Sequence, residues 1–256
     1  SIIKGLVISD RRGRFEDDIT GITSDSRAVQ PGDLFVAVQG LRSDGHDFIG
    51  EAVERGARAV IAERWDASFE PGEKKVDVVL VPSSRRALGL AAANFYGQPS
   101  RGLHVAGVTG TNGKTTVTYL LESIIRAATK KVGVIGSVDA RFDGEQKALE
   151  HTTPGPVELQ RLLAAMVEAE VTHVVMEVSS HALAQERVAG VHFKVGGFTQ
   201  LGRDHLDYHE TMDAYFEAKA RLFSEGLGKS RARGRMAVIN VDDPRGRELL
   251  ERCQGW

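Results

Sequence analysis

The chain has almost no cysteine: Cys253 stands alone among 256 residues. No internal disulfide can form, and no cysteine-based metal cage can be built. A reducing compartment suits such a chain, and the cytoplasm is the expected location. Long apolar runs are also missing. Nothing approaches the roughly 20 residues of a membrane helix, and no signal-peptide pattern opens the sequence. The first residue is Ser1 rather than Met, which reads as a trimmed or tagged start. Excess charge of one sign is absent too, with 33 Lys and Arg against 35 Asp and Glu. That balance gives no case for a nucleic-acid partner. The one basic cluster, KSRARGR at 229–235, reads as a solvated loop. What remains is ordinary globular composition, 41% hydrophobic and 27% charged, enough for one or two domains with real cores.

Short apolar runs punctuate the first hundred residues: DLFVAV (33–38), ARAVIAE (57–63) and VDVVLVP (76–82). Helical patterns lie between and after them, in GHDFIGEAVERGA and in SSRRALGLAAANFYG (83–97), the latter with Ser at its start and Gly97 at its end. GQPSRG (97–102) is turn-rich and marks a boundary. Strands are expected in LHVAGVTG, KVGVIGSV (131–138), THVVMEVS (172–179), KVGGFTQL (194–201) and RMAVINVDD (235–243). Helices are expected over 114–128, with Val117, Leu120, Leu121, Ile124 and Ile125 on one face, and over 156–170, opening on Pro156. The expected fold is α/β: a mixed N-terminal module over 1–100, then a mostly parallel sheet with flanking helices over 101–256.

GVTGTNGKTT (107–116) sits between a strand and a helix. It fails the usual phosphate-loop spacing, which wants glycine where Val108 stands, and places glycines at Gly107, Gly110 and Gly113 instead. The context still suits phosphate. Free N–H groups and the positive end of the helix dipole meet there. Lys114 can reach terminal phosphates and the Thr115 hydroxyl can hold Mg²⁺. The other reading is a glycine-rich turn with no ligand.

Glu177 ends an apolar strand, at the sheet edge where open α/β folds bind ligands. A carboxylate there suits Mg²⁺. His181, Asp204, His205, Asp207 and His209 cluster in sequence and invite a zinc reading, but no helical His-x-x-x-His with an intervening Glu supports it. Lys219 lies on the apolar stripe of Met212, Tyr215, Phe216 and Phe223. It is either a snorkelling lysine or a buried amine with a lowered pKa. Thr152, Thr153, Ser179, Gln185 and Arg187 suit substrate-facing loops, with Arg187 able to pair a carboxylate or phosphate. Ordinary loop polarity is the alternative.

Gly-x-x-Gly-x-x-Gly-Lys-Thr resembles the phosphate loop of the Mur ligases and their folylpolyglutamate synthase relatives. TSDSRAVQPGDLFVAVQG (23–40) resembles the N-terminal substrate module of the E- and F-type enzymes. HTTPG (151–155), MEVSSHAL (176–183) and LGRDHLDYHETMDAYFEAKARLF (201–223) resemble the E type. The resemblance runs over nearly the whole chain. It implies an ATP-dependent amide ligase that adds diaminopimelate or lysine to UDP-N-acetylmuramoyl-L-alanyl-D-glutamate through an acyl phosphate, as a monomer. It places Gly110, Thr111, Asn112, Gly113, Lys114, Thr115, Thr116 and Asn240 on the nucleotide. It assigns Thr115, Glu177, His205 and an N6-carboxylated Lys219 to Mg²⁺, while for His181 and His209 a structural role stands equally beside a role in the site. It puts Ser24, Ser26 and Arg27 on the uridine nucleotide, with Arg42 and Ser43 near another part of the substrate. It puts Thr152, Thr153, Ser179, Gln185 and Arg187 on the muramoyl-dipeptide. Lys114, Glu177, His205 and Lys219 are the implied catalytic set. Mur ligases carry a third domain, for the incoming amino acid, that this sequence does not show. The expectation is therefore a partial ligase that forms no tripeptide by itself. A non-catalytic binding module and a generic P-loop ATPase or kinase are the competing readings, and TSDSR, TTP and EVSSHAL argue against the last.

Overall fold

The computed structural model describes residues 1–13, 18–40, 43–65, 76–227 and 234–253. It comprises two compact units, Ser1–Gly97 and Gln98–Trp256, each built on its own sheet. Among the described residues no helix is long and apolar enough to cross a membrane.

In the first unit, β1 (Asp10–Arg12), β2 (Gly21–Thr23), β3 (Asp33–Val36), β4 (Ala59–Ala62) and β5 (Asp77–Leu80) form a sheet in the order β1-β5-β4-β3-β2. Only β1 runs antiparallel. Every residue of β3 and β4 is buried, which is why both read as unbroken apolar runs rather than alternating ones. Helix α1 (Ile49–Glu54) and helix α2 (Ser84–Phe95) follow. Ser83 caps α2 by accepting the Arg86 N–H at 3.3 Å. The stripe Ala87, Leu88, Ala91 and Ala92 is buried. Strand β1, all exposed and polar, carries no apolar signal, and the sequence did not announce it.

The second unit has β6 (His104–Thr109), β7 (Val132–Ile135), β8 (Ala140–Phe142), β9 (Glu145–Lys147), β10 (His173–Glu177), β11 (Phe193–Phe198) and β12 (Met236–Ile239). Their order is β12-β11-β6-β10-β7-β8-β9. The five strands from β12 to β7 are parallel, and the β8–β9 hairpin adds an antiparallel edge. Helices α3 (Lys114–Ala127), α4 (Pro156–Glu168), α5 (Ser180–Ala184), α6 (Leu206–His209), α7 (Met212–Arg221) and α8 (Pro244–Cys253) complete it. Leu159, Leu163 and Met166 of α4, Val174 and Met176 of β10, Phe193 and Phe198 of β11, and Phe216 and Phe223 share one core. Adjacent strands β6 and β11 send the chain in opposite directions, to β7 on one side and to β12 on the other. Their carboxyl ends therefore border a topological switch point, where such sheets bind ligands.

Helix α3 departs from its expected packing. Leu120 and Ile124 are 59% and 64% exposed, while Thr118 and Glu122 are buried. The buried side is polar because it is satisfied. Thr118 donates to the Thr115 carbonyl at 2.8 Å. Glu122 receives Arg141 of β8 and Arg126 of its own helix, and Arg141 also reaches Asp139 at 2.6 Å. This charge network, rather than an apolar stripe, joins α3 to the hairpin.

Candidate functional site

The loop 110–113 runs from β6 at the switch point into α3, so the first peptide N–H groups of a 14-residue helix open onto it. Lys114 folds back over this loop and donates to the carbonyls of Gly110 and Thr111, both at 2.9 Å. From the opposite side, Lys219 of α7 also donates to the Gly110 carbonyl, at 2.8 Å. Lys219 is 1% exposed, so its expected place on the apolar stripe holds, and its amine ends in the site rather than in solvent. Burial, then the neighbouring Lys114, brings its pKa down to about 7 against a partial opposing pull from Asp204. Burial also lowers Lys114, with Glu177 and Asp204 opposing.

Glu177 closes β10 at 1% exposure. Its carboxylate receives the Thr115 hydroxyl at 2.9 Å, the Ser137 N–H at 3.0 Å and the Ser137 hydroxyl at 3.1 Å. All three donors are neutral. Ser137 also meets Thr152 at 3.1 Å. Sequence reasoning missed Ser137. Its signal was its place just beyond the carboxyl end of β7, at the same sheet edge as Glu177. Gly136 lets the carboxylate in, because a Cβ there would stand 2.5 Å from Glu177 Oε1. Gly136→Ala is expected to displace a flexible side-chain end rather than the backbone. The expected outcome is a melting temperature a few degrees lower, about 2–4 °C per kcal/mol lost, with Mg²⁺-dependent nucleotide binding weakened about tenfold, near one charge-assisted hydrogen bond. Calorimetry with Mg²⁺ and ADP on the variant checks this, and unaltered affinity would dissociate Glu177 from the site.

Thr153, expected to offer its hydroxyl outward, is fully buried. It donates to the Glu177 carbonyl at 3.0 Å and accepts the Ser179 N–H at 3.1 Å. It therefore pins the 151–155 loop to the end of β10 and has no free face for a substrate. Ser179 caps α5 by accepting the Ala182 N–H. Arg187 is half-buried, and its guanidinium donates to the Thr153 carbonyl at 3.0 Å and to Gln185 Oε1 at 3.0 and 2.8 Å. Gln185 reaches the Tyr208 hydroxyl at 3.3 Å.

The histidines gather beside α7. His181 packs on Tyr208, His205 and His209, with centroids 4.3, 4.7 and 5.4 Å away. His205 is the exposed member, 3.6 Å from Asp204, and the hydrogen-bond donors to the Glu177 carboxylate among the described residues are Thr115 and Ser137. His209 is buried, with a pKa lowered to about 4 chiefly by that burial and an Nε2 that has no partner. Among the described residues, no three His, Cys, Asp or Glu side chains converge as a metal cage.

On the other side of the loop, Thr199 at the end of β11 donates to the Asn112 carbonyl at 2.7 Å. Asn240 donates to the Thr199 carbonyl at 2.8 Å and accepts the Asp242 N–H. Asn240 thus reaches the loop through Thr199, which sequence reasoning did not single out. The side chains of Asn112 and Thr116 are exposed.

The first unit has its own cleft of about 520 Å³. Ser24, Ser26, Arg27 and Ser43 line it with Phe35 and Phe48. Ser26 is nearly buried and donates to Glu51 at 2.9 Å. Arg27 is exposed and paired with Asp25 at 2.8 Å. Arg42 lies outside the described residues. The loop 43–48 is held by His46, whose Nδ1 meets Asp44 at 2.6 Å while its Nε2 accepts the Glu63 N–H at 2.9 Å. Those partners put the ring proton on Nδ1. Burial alone would raise the Asp44 pKa, but the His46 N–H, Arg64 and the His46 ring together hold it well below the usual carboxylate range.

The Mur ligase middle-domain model matches residues 108–256, and the model for the catalytic domain of the Mur ligase family matches residues 18–96. A UDP-N-acetylmuramoyl-L-alanyl-D-glutamate–2,6-diaminopimelate ligase of Syntrophomonas wolfei subsp. wolfei is 44% identical over 250 residues, covering 98% of this chain and 50% of that protein. The ligase of the same name from Geobacillus thermodenitrificans is 49% identical over 228 residues, covering 89% and 45%. The chain thus spans about half the length of the curated relatives it matches. A solved structure of a ligase of that name superposes with a TM-score of 0.77 at 32% identity, over 92% of this chain and 46% of that one. The MurF ligase of Thermotoga maritima, solved in complex with ADP, superposes with a TM-score of 0.54 at 26% identity, over 90% and 48%. With the middle-domain model matched over more than half of its residues, and the second model matched over most of the first unit, the chain belongs to the Mur ligase family.

Proposed function

We propose that this chain supplies the substrate-holding and nucleotide-holding units of an ATP-dependent ligase that joins 2,6-diaminopimelate to UDP-N-acetylmuramoyl-L-alanyl-D-glutamate. One observation carries the reading. Lys114 and Arg187 are both at least half-buried, and among the described residues both donate only to neutral oxygens. Buried positive charge without a partner is costly. A polyanion is the partner that offsets it, and ATP with a carboxylate substrate is one. The ADP held by the Thermotoga maritima relative and the names of the diaminopimelate ligases support the choice of ligands.

The donor set also fits Mg²⁺. Glu177 is a buried carboxylate whose present donors are neutral hydroxyl and amide groups, beside the Thr115 hydroxyl. Thr115, Glu177, His205 and an N6-carboxylated Lys219 are the residues that would hold it, and when bound it neutralises phosphate charge. The remaining work falls to the chain. The N-terminus of α3 and Lys114 seat the phosphates, with Asn240 steadying the loop through Thr199. Arg187 orients an acidic group of the substrate, and Thr152 and Ser179 border the same loop. In the reaction, an oxygen of the D-glutamyl γ-carboxylate attacks the terminal phosphorus of ATP and ADP leaves. The amine nitrogen then attacks the acyl carbon, and phosphate and a proton leave.

The cleft of the first unit is the seat for the uridine nucleotide. Gly45 is its sensitive point, because a Cβ there would meet the Val38 backbone N and O at 2.7 Å. Calorimetric titration with UDP-N-acetylmuramoyl-L-alanyl-D-glutamate tests the reading directly. The wild-type chain is expected to bind it, and Gly45→Ala to bind at least about tenfold more weakly through a shifted loop, a loss of about 1.4 kcal/mol. No heat with the wild-type chain, at concentrations where ADP does bind, would overturn the assignment of substrate.

A further inference from the structure

Tyr215 belongs to no role described so far, yet it touches both halves of the nucleotide site. It is 1% exposed on α7. Its ring lies 4.4 Å from Lys219 Nζ, 5.9 Å from the His205 ring and 5.2 Å from the His209 ring. Its hydroxyl meets Thr111 Oγ1 at 3.2 Å. Proton counting sets the direction of that bond. Thr111 Oγ1 accepts the Gly202 N–H at 2.9 Å and donates to the Gly202 carbonyl at 3.2 Å. A hydroxyl has one proton to give, so Tyr215 is the donor. Thr111 is further held by its N–H, which donates to the Gln200 carbonyl at 2.8 Å. The phosphate loop, the segment after β11 and helix α7 therefore meet at one pair of hydroxyls.

We infer that Tyr215 is a positioning residue that fixes the phosphate loop in register with α7. It sets the Gly110 carbonyl between Lys114 and Lys219 and holds the Lys219 amine under its ring. The inference rests on the nucleotide site proposed above. A phosphate site works through prearranged N–H groups and amines, so a loop free to slide on α7 would bind the same nucleotide more weakly without any contact to it being removed.

The test is a double-mutant cycle on Mg²⁺ and ADP affinity, read by calorimetry, with Tyr215→Phe, Thr111→Val and the pair. Tyr215→Phe keeps the ring and removes one hydroxyl. Each single variant is expected to weaken binding about three- to tenfold, the range of one hydrogen bond, and the pair is expected to be no weaker than the worse single. Additive losses, or wild-type affinity in Tyr215→Phe, would overturn the inference, as would a lowered melting temperature with affinity intact. Should either single variant fail to fold, the other hydroxyl partner still decides: an affinity loss there supports the inference, and wild-type affinity overturns it. Lys114→Ala separates the two levels. If it binds ADP as well as wild type, the nucleotide site itself is wrong. If it does not bind while Tyr215→Phe is unaffected, only the role of Tyr215 fails.

Discussion

Replacing Lys114 with alanine is expected to remove nucleotide binding from this chain while leaving its fold in place. Lys114 is the first residue of α3, and among the described residues its hydrogen bonds go to the loop it covers. Its amine is half-buried and makes two hydrogen bonds to loop carbonyls, so a modest loss of stability, about 1 kcal/mol, is expected with the fold retained. The affinity change is much larger. A half-buried amine against a phosphate counts as a desolvated charge pair, and losing one partner of such a pair costs about 2–5 kcal/mol. The expected loss for Mg²⁺ and ADP is about 100-fold or more. Calorimetry on wild type and variant at equal salt decides it, since surface charge effects vary with ionic strength. Equal affinities would take the loop out of the nucleotide site.

Lys219 is expected to carry a carbamate at alkaline pH and to lose it in acid. The amine must be neutral to attack CO₂: its nitrogen bonds the carbon, and one proton is released. With a pKa lowered to about 7, most of the amine is neutral by pH 8, whereas an ordinary lysine would be almost wholly charged. Carbon-13 NMR with labelled bicarbonate is expected to show a carbamate signal that fades as pH falls below about 7. The same signal should be missing from Lys219→Met at every pH. A wild-type chain with no such signal at pH 8 would contradict the assignment.

The burial of Lys219 has a stability consequence whose sign can be stated. Its folded pKa of about 7 lies below the 10.5 of an unburied lysine. Between those values the unfolded chain binds more protons, so this group makes stability rise with pH across that window. Below about pH 7 the amine is charged in both states, and its burial cost is then full, on the order of several kcal/mol from the size of the shift. Lys219→Met is accordingly expected to melt higher than wild type at pH 6 and to lose this part of the pH dependence. A buried cation kept at such a cost is what a functional site looks like when it trades stability for chemistry.

The apolar runs of β3 and β4, the capped start of α2 and the strand-loop-helix around Lys114 each specify their own structure locally. Their signals lie within a few residues, so the sequence determines them by itself: periodicity names the element, and Ser83 or the glycine-rich turn marks where the helix starts. The order of motifs similarly determines the family, because TSDSR, GKTT, HTTPG and EVSSHAL need only be read in succession. Lys219 on its apolar stripe was legible as an anomaly, a charge where the helix wanted a hydrophobe.

What the tertiary structure alone decided is which polar groups meet. The strand order β12-β11-β6-β10-β7-β8-β9 is set by long-range pairing, and no local pattern encodes it. Ser137 and Glu177 are 40 residues apart, and Lys219 and Gly110 are 109 apart. The first pair meets because parallel strands β7 and β10 bring their carboxyl ends to one edge, and the second because α7 packs against the loop that leaves β6 at that edge. Thr153 turned inward, because its hydroxyl satisfies two backbone groups there. Leu120 and Ile124 of α3 turned outward, because Glu122 and Arg141 satisfied each other beneath the helix. Hydrophobic pattern records burial in a strand or helix of average surroundings. It does not record that a buried charge has found its partner, and that pairing determined which face of α3 met the sheet.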